Sequence, residues 1–239
     1  MTGVDIEMIA GKLINTVLCM DALELLKQLP DKSVDLIVTD PDYELSHTPA
    51  GKSIKIHQRR KHTEVAKNNS KGFDIETVFA EFQRVLKKFN LFCFCSNSQI
   101  SRIMTWGESR GFYTTLLGWE KEDCTPFANN VWRQDFEPCI HIMESGATFH
   151  GGATIKRKIW RGNTLKGTIH PCQKPIDIIL KYIQIGSNPE DLILDCFAGS
   201  FTVAKSCQEL NRRWICCEKE ERNCEIGRQR LAEVPLITI

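Results

Sequence analysis

A chain of 239 residues with 42% hydrophobic and 26% charged side chains suits one domain with a sizeable core. The net charge of +1 excludes recognition of nucleic acid by a global field, so such a partner would have to be met by local basic patches. The chain has no apolar run of transmembrane length and its start, M-T-G-V-D-I-E, has no signal-peptide pattern, so the expectation is a soluble intracellular protein that uses no membrane.

Residues 13–20 (L-I-N-T-V-L-C-M) read as a strand closed by Asp21, and residues 22–29 carry helical periodicity up to Pro30. Residues 34–43, V-D-L-I-V-T-D-P-D-Y, are the most informative stretch. Val34, Leu36, Ile37, Val38 and Thr39 suit a buried strand, and the run stops at Asp40, Pro41, Asp42 and Tyr43. In an open parallel sheet, ligands bind beyond the carboxyl ends of strands. Proline fixes its own φ and extends the residue before it, so Asp40 is held at a defined angle. A carboxylate, a rigid carbonyl and a flat ring suit a planar ligand bearing an amino group. A plain turn is the competing reading, since Asp and Pro are common turn formers.

Residues 47–72 break the pattern, with seven basic residues (Lys52, Lys55, Arg59, Arg60, Lys61, Lys67, Lys71) against Glu64 alone. A long basic loop beside a ligand crevice could grip phosphates, and a solvated loop is the alternative. Residues 74–88 form an amphipathic helix, with Val78, Phe79, Phe82, Val85 and Leu86 on one face. Then come a short buried strand (91–95), a helix (100–110) closed by Gly111, a strand (112–119), an irregular stretch (120–135) and a strand (137–143). Residues 150–169 are a second basic loop, holding Lys156, Arg157, Lys158, Arg161 and Lys166 around Trp160 with no acid. Basic residues interleaved with an aromatic suit a nucleic-acid surface, although a solvated loop competes here too.

H-P-C-Q-K-P at 170–175 opens a helix that runs to 185. Residues 191–195 are a strand, C-F-A-G-S-F-T-V-A leads into a helix to about 210, 213–217 is a strand ending at Glu218, and 222–232 is the last helix. Strands alternating with helices imply an α/β fold with a mainly parallel sheet. The eleven cysteines contain no C-x-x-C pair, and several lie in apolar runs, so buried structural thiols are expected rather than metal ligands or disulfides. Around 192–203, a strand ends in Asp195, a turn with Gly199 and Ser200 follows, and Glu218 closes the next strand nineteen residues beyond Gly199. Those are the parts of a nucleoside site, with Glu218 placed to accept both ribose hydroxyls. The turn is not G-x-G-x-x-G, so a nucleoside with an amino-acid tail suits it better than a dinucleotide.

Taken together, these motifs resemble the amino-methylating DNA methyltransferases in their beta arrangement, where a catalytic D-P-P-Y precedes a cofactor F-x-G-x-G. Here D-P-D-Y at 40–43 precedes F-A-G-S-F at 197–201, and Asp21-Ala22-Leu23, R-V-L-K at 84–87, H-P-C-Q-K-P and Glu218 follow the family order across almost the whole chain. The resemblance implies a Rossmann-like fold with a seven-stranded, mainly parallel sheet and helices on both faces, in a single domain spanning 1–239. It implies S-adenosyl-L-methionine as cofactor, held by Asp21, Ala22, Asp40, His170, Gln173, Lys174, Asp195, Phe197, Ala198, Gly199, Ser200, Phe201, Thr202, Glu218 and Lys219. Asp40, Pro41, Asp42 and Tyr43 would be the catalytic residues. Double-stranded DNA would be the partner, gripped by Lys52, Lys55, Arg59, Arg60, Lys61, Lys156, Arg157, Lys158 and Arg161.

The expected reaction is methylation of adenine N6 in a bacterial or phage-like setting. N4-methylation of cytosine, or DNA binding without turnover, are the alternatives. Related enzymes often pair, which leaves room for a homodimer. Two positions depart from the family: Asp42 replaces a proline, loosening a turn and setting a second acid near Asp40, and Phe201 replaces a glycine, which is strained if φ there is positive.

Overall fold

The computed structural model describes residues 13–44, 72–124, 132–169 and 172–232. Its strands are β1 (Val17–Cys19), β2 (Leu36–Thr39), β3 (Asn90–Phe94), β4 (Tyr113–Lys121), β5 (Phe136–Met143), β6 (Ile159–Gly162), β7 (Leu192–Asp195) and β8 (Arg213–Glu218). Its helices are α1 (Ala22–Gln28), α2 (Ile75–Val85), α3 (Ile100–Glu108), α4 (Ile176–Gly186), α5 (Thr202–Glu209) and α6 (Glu221–Ala232). The strands form one sheet in the order β1-β8-β7-β2-β3-β5-β4-β6. The first five of these run parallel, β5 pairs antiparallel with both β3 and β4, and β6 lies parallel to β4 at the edge. None of the described helices is long and apolar enough to cross a membrane.

Period-two alternation along the central strands feeds two cores. Ile37, Leu91, Leu194 and Ile215 point to the face covered by α1, α2 and α3, through Leu25, Phe79, Phe82 and Trp106. Leu36, Val38, Phe92 and Ile193 point to the face covered by α4 and α5, through Ile179, Tyr182, Ile183 and Val203. This is the expected three-layer fold, with eight strands rather than seven among the described residues.

The extra strand is β6, inside the stretch read as a basic loop. Its backbone pairs with Gly118–Lys121, and Trp119 Nε1 donates to Gly162 O at 2.8 Å. A four-residue strand of sequence I-W-R-G has little local signal, and only its edge position creates it. Three other boundaries shift for identifiable reasons. Strand β1 is shorter than expected because Asn15 takes a φ of +58°. Helix α2 ends at Val85 because Leu86 turns extended and bridges to Val34, whose carbonyl accepts from Lys87 N at 2.9 Å. Strand β4 continues through Glu120 and Lys121, residues expected to be irregular.

The turn after β7 explains the two glycine positions of the family motif. Gly199 has φ +49° and Phe201 has φ +57°, so both are left-handed. For a non-glycine residue this costs roughly 1–2 kcal/mol. Phe201 offsets it by burying its ring completely in the α4–α5 core, where Phe burial is worth about 3–5 kcal/mol on truncation. Gly227 on α6 makes room for that ring: a Cβ there would come within 2.3 Å of it. Urea unfolding should therefore show Gly227→Ala destabilised by about 1–3 kcal/mol through overpacking. Phe201→Gly should lose roughly 2–3 kcal/mol, burial outweighing the relief of strain. The double variant should cost less than the sum of the two, because the ring and the added methyl compete for one space.

Candidate active site

Strand β2 lies between β7 and β3, so its carboxyl end opens at the centre of the sheet edge. Asp40 and the buried Pro41 follow it directly. Lys174, from the segment before α4, donates to Asp40 Oδ2 and also reaches Glu137 Oε1 at 2.8 Å. Its side chain is only 6% exposed, and its ammonium lies 4.9 Å from the Phe94 ring centroid and 5.4 Å from that of Tyr43. The Tyr43 hydroxyl donates to Glu137 Oε1 at 2.8 Å, and Lys121 reaches Glu137 Oε2 at 2.6 Å. Two carboxylates and two ammonium groups thus form one closed network. Asp40 Oδ1 is buried and has no hydrogen-bond partner among the described residues.

The charges in this network tune one another. Burial pushes the Asp40 carboxyl up, and the Lys174 ammonium pulls it only part of the way back. Burial also opposes ionisation of Glu137, but Lys174 and then Lys121 outweigh it and hold Glu137 down at about 2. Burial disfavours charge on Lys174, yet Asp40 and Glu137 together keep its ammonium well above the usual lysine range. Burial, followed by those two carboxylates, raises the Tyr43 hydroxyl, so it stays a protonated donor.

The loop that carries D-P-D-Y is pinned on both sides. Gln99 Nε2 donates to Asp42 O at 3.2 Å, and Ser96 and Ser98 donate to Glu44 O at 2.8 and 2.6 Å. The Asp42 carboxylate accepts from Lys219 Nζ at 3.3 Å, reaching from the β2 end towards the β8 end. The like charge that faces Asp40 is therefore Glu137, not Asp42 as the sequence suggested. Asp42 leaves the turn tied rather than loose, because its backbone and its side chain are both held.

The turn after β7 and the end of β8 meet as the sequence anticipates. Glu218 Oε2 accepts from Gly199 N at 3.0 Å and Oε1 from Glu220 N at 2.9 Å. Asp195 Oδ1 accepts from Thr39 Oγ1 at 2.8 Å and from Phe197 N at 3.1 Å, and burial pushes this carboxyl up to about 7. Ser200 and Thr202 pair their hydroxyls at 3.0 Å and are held by Arg230, so these two side chains serve the turn itself. Ala198 is buried, and the Phe197 ring packs on Phe73 at 5.9 Å. Asp21 caps α1 through Leu23 N at 2.8 Å, with Ala22 buried behind it. A left-handed glycine turn beside a carboxylate, with a second acid at a neighbouring strand end, fits a nucleoside cofactor. Gln173 Oε1 is buried without a partner among the described residues, and the side chain lines a cavity of about 450 Å³ between 165–169 and α6. His170 lies outside the described residues.

Of the basic segments, Lys52, Lys55, Arg59, Arg60 and Lys61 lie outside the described residues. In the second segment, Arg161 Nε pairs with Glu120 Oε2 at 2.8 Å, and the Lys156 ammonium sits 4.3 Å from the Phe149 ring centroid. Arg157 O accepts from Lys181, and Lys158 O accepts from Gly118 N at 3.1 Å. Because β6 runs parallel to β4, Gly162 lies beside Lys121, which places the end of this segment at the same sheet edge as Asp40.

Glu137 and Lys121 were not anticipated from the sequence. Both sit inside strands β5 and β4, where charged residues give no local signal; an acid and a lysine at the strand ends nearest D-P-D-Y were the only available hint. The eleven cysteines are free thiols and most are buried. Cys19, Glu221 and Cys224 nevertheless bring their ligand atoms within 4.8 Å of one another, a juxtaposition of β1 with α6 that their spacing hides.

Residues 34–229 match the family model N6_N4_Mtase, described as DNA methylase. The chain is 28% identical over 250 residues to the type II methyltransferase M1.MboII of Moraxella bovis, covering 86% of this chain and 92% of that protein. It is 25% identical to the DNA adenine methyltransferase YhdJ of Escherichia coli K12, covering 92% and 84%. Among solved structures it resembles the M1.HpyAVI–SAM complex, with TM-score 0.65 and 26% identity over 90% of this chain and 98% of that one. It shares its fold with the cytosine-N4-specific PvuII DNA methyltransferase, with TM-score 0.71 at 16% identity over 92% and 87%. The chain belongs to the N6/N4 DNA methylase family, the S-adenosylmethionine-dependent DNA amino-methyltransferases.

Proposed function

We propose that the protein methylates the exocyclic N6 amino group of adenine in double-stranded DNA. The observation that carries this reading is Asp40 Oδ1, a buried carboxylate oxygen with no partner among the described residues, set beside Pro41 at the carboxyl end of β2. A buried acceptor left unpaired is costly, and an amino hydrogen from a bound base would satisfy it. Adenine, rather than cytosine, is supported by the lean of D-P-P-Y-like motifs and by the likeness to an adenine methyltransferase.

The adenine amino nitrogen is a poor nucleophile because its lone pair is delocalised into the ring. S-adenosylmethionine, when bound, supplies a methyl group on a positively charged sulfur. Asp40 Oδ1 and the Pro41 carbonyl accept the two amino hydrogens, localise the lone pair and stabilise the positive charge that develops on nitrogen. Tyr43, fixed through its hydroxyl to Glu137, offers its ring to the base, and such stacking is worth about 1–3 kcal/mol. That offsets part of the cost of taking a base out of the duplex. Glu218, Asp21, Ala22, Lys219 and the 197–202 turn hold the cofactor, with Asp195 fixing the turn through Phe197 N. Gln173 and Lys174 close the site from the segment before α4. The segments 47–72 and 150–169 contact the DNA phosphates, Lys156, Arg157 and Lys158 among them, while Arg161 shares its charge with Glu120.

Labelled S-adenosylmethionine incubated with mixed-sequence duplex DNA, followed by nucleoside digestion and mass spectrometry, should yield N6-methyladenine. N4-methylcytosine would move the assignment to the other base, and no label in either nucleoside would overturn it. Asp40→Ala should lose about 100-fold or more in rate, the scale of one transition-state partner, while still binding cofactor. Near-normal turnover by that variant would remove Asp40 from the mechanism. Replacing Lys156 and Lys158 together by Ala should weaken DNA binding and flatten the plot of log K against log salt by roughly 0.9 for each phosphate no longer neutralised. An unchanged slope would exclude the segment from the DNA surface.

A further inference from the structure

We propose that Glu137 is a positioning residue for methyl transfer: it draws the Lys174 ammonium and the Tyr43 hydroxyl to itself, and so leaves Asp40 Oδ1 open to the substrate amino group. The inference rests on the proposed reading of Asp40 as the amino-group acceptor. Its basis is the geometry of a shared lysine. Lys174 has three donors and two carboxylate neighbours, binding Asp40 through Oδ2 and Glu137 through Oε1 at 2.8 Å. Without Glu137, nothing on the β5 side would draw the ammonium away, and it would be free to bridge both Asp40 oxygens. It would then cap the one the substrate needs.

Glu137 is itself anchored from the other side by Lys121 at 2.6 Å, which keeps it from being captured by Lys174 alone. Tyr43 completes the arrangement, since its hydroxyl reaches Glu137 Oε1 at 2.8 Å and its ring is thereby set in place. One carboxylate on β5 thus orients both the acceptor's counter-charge and the ring expected to meet the base. Among the described residues the hydrogen bonds and ion pairs of Glu137 go to Tyr43, Lys121 and Lys174 and not to the turn after β7, so its effect should fall on the amino-group half of the site.

The charged and titratable groups facing Asp40 come from every neighbouring element. Lys174 and Cys172 precede α4, and Glu137 and Cys139 lie on β5. Tyr43 follows β2, Cys93 and Cys95 mark the end of β3, and Asp195 ends β7. The thiols are neutral, burial having raised them, so the opposing charges that act most directly on Asp40 are Lys174 and Glu137, with Lys121 behind Glu137. Removing the negative one should favour the Asp40 carboxylate, and removing the positive one should disfavour it.

The test is titration of the Asp40 carboxyl by carbon-13 NMR, its line identified as the one missing from Asp40→Asn. In Glu137→Gln the midpoint should move to lower pH, and in Lys174→Met to higher pH. Opposite displacements cannot come from a loosened fold, which would move both variants the same way. In parallel, Glu137→Gln should lower kcat about 10- to 100-fold, the scale of one charge-assisted hydrogen bond, with cofactor affinity unchanged. Glu137→Asp should recover part of the rate. An unmoved midpoint in Glu137→Gln, displacements of the same sign, or a loss of cofactor affinity matching the loss of kcat would each overturn the proposal. Opposite displacements in a protein that transfers no methyl group would leave the division of Lys174 standing and overturn the reading of the reaction instead.

Discussion

A lysine ammonium buried between two carboxylates holds this site together. Moving a charge out of water costs several kcal/mol even after relaxation, and the cost is tolerable only where the charge is paired and hydrogen-bonded. Lys174 meets that condition through Asp40 and Glu137, and Glu137 meets it through Lys174 and Lys121. The four groups balance in charge, so none can be removed without stranding another. The network also ties together the end of β2, the start of β5, the end of β4 and the segment before α4. The sheet order puts these ends on one edge, and the ion pairs keep them there.

The two departures from the family pattern are each absorbed by a neighbour rather than left as defects. Asp42 gives up the stiffness of a second proline, but Gln99 holds its carbonyl and Lys219 its carboxylate. The link to Lys219 runs from the loop after β2 to the residue after Glu218, so it joins the β2 end to the β8 end of the sheet edge. Phe201 gives up the freedom of glycine at a left-handed position and gains a fully buried ring seated against Gly227. For Phe201 the local cost is small beside the burial that answers it.

The basic segment at 150–169 shows how a charge run changes meaning in three dimensions. It has no acid of its own, yet Arg161 is met by Glu120 across the β4–β6 pairing, and Lys156 lies over an aromatic ring. What remains outward is a short basic edge rather than a continuous field, in keeping with a net charge of +1. Its position at the sheet edge that carries Asp40 makes it relevant to a DNA substrate.

The sequence by itself determined the alternation of strands and helices, the buried strand that ends in D-P-D-Y, the glycine turn with its acid on the next strand, and the order of these motifs. All are set by short-range periodicity, proline and glycine geometry, and the residue types at strand ends, which can be read within a dozen residues. Only the tertiary structure decided the rest. It made an edge strand of I-W-R-G, ended α2 where Leu86 bridges to Val34, and replaced Asp42 by Glu137 as the acid facing Asp40. It also brought Lys174, Glu137 and Lys121 together from three separate parts of the chain. A charged residue carries no periodicity that names its partner. Its role is set by which other charges the folded sheet places within a few ångströms and shields from water.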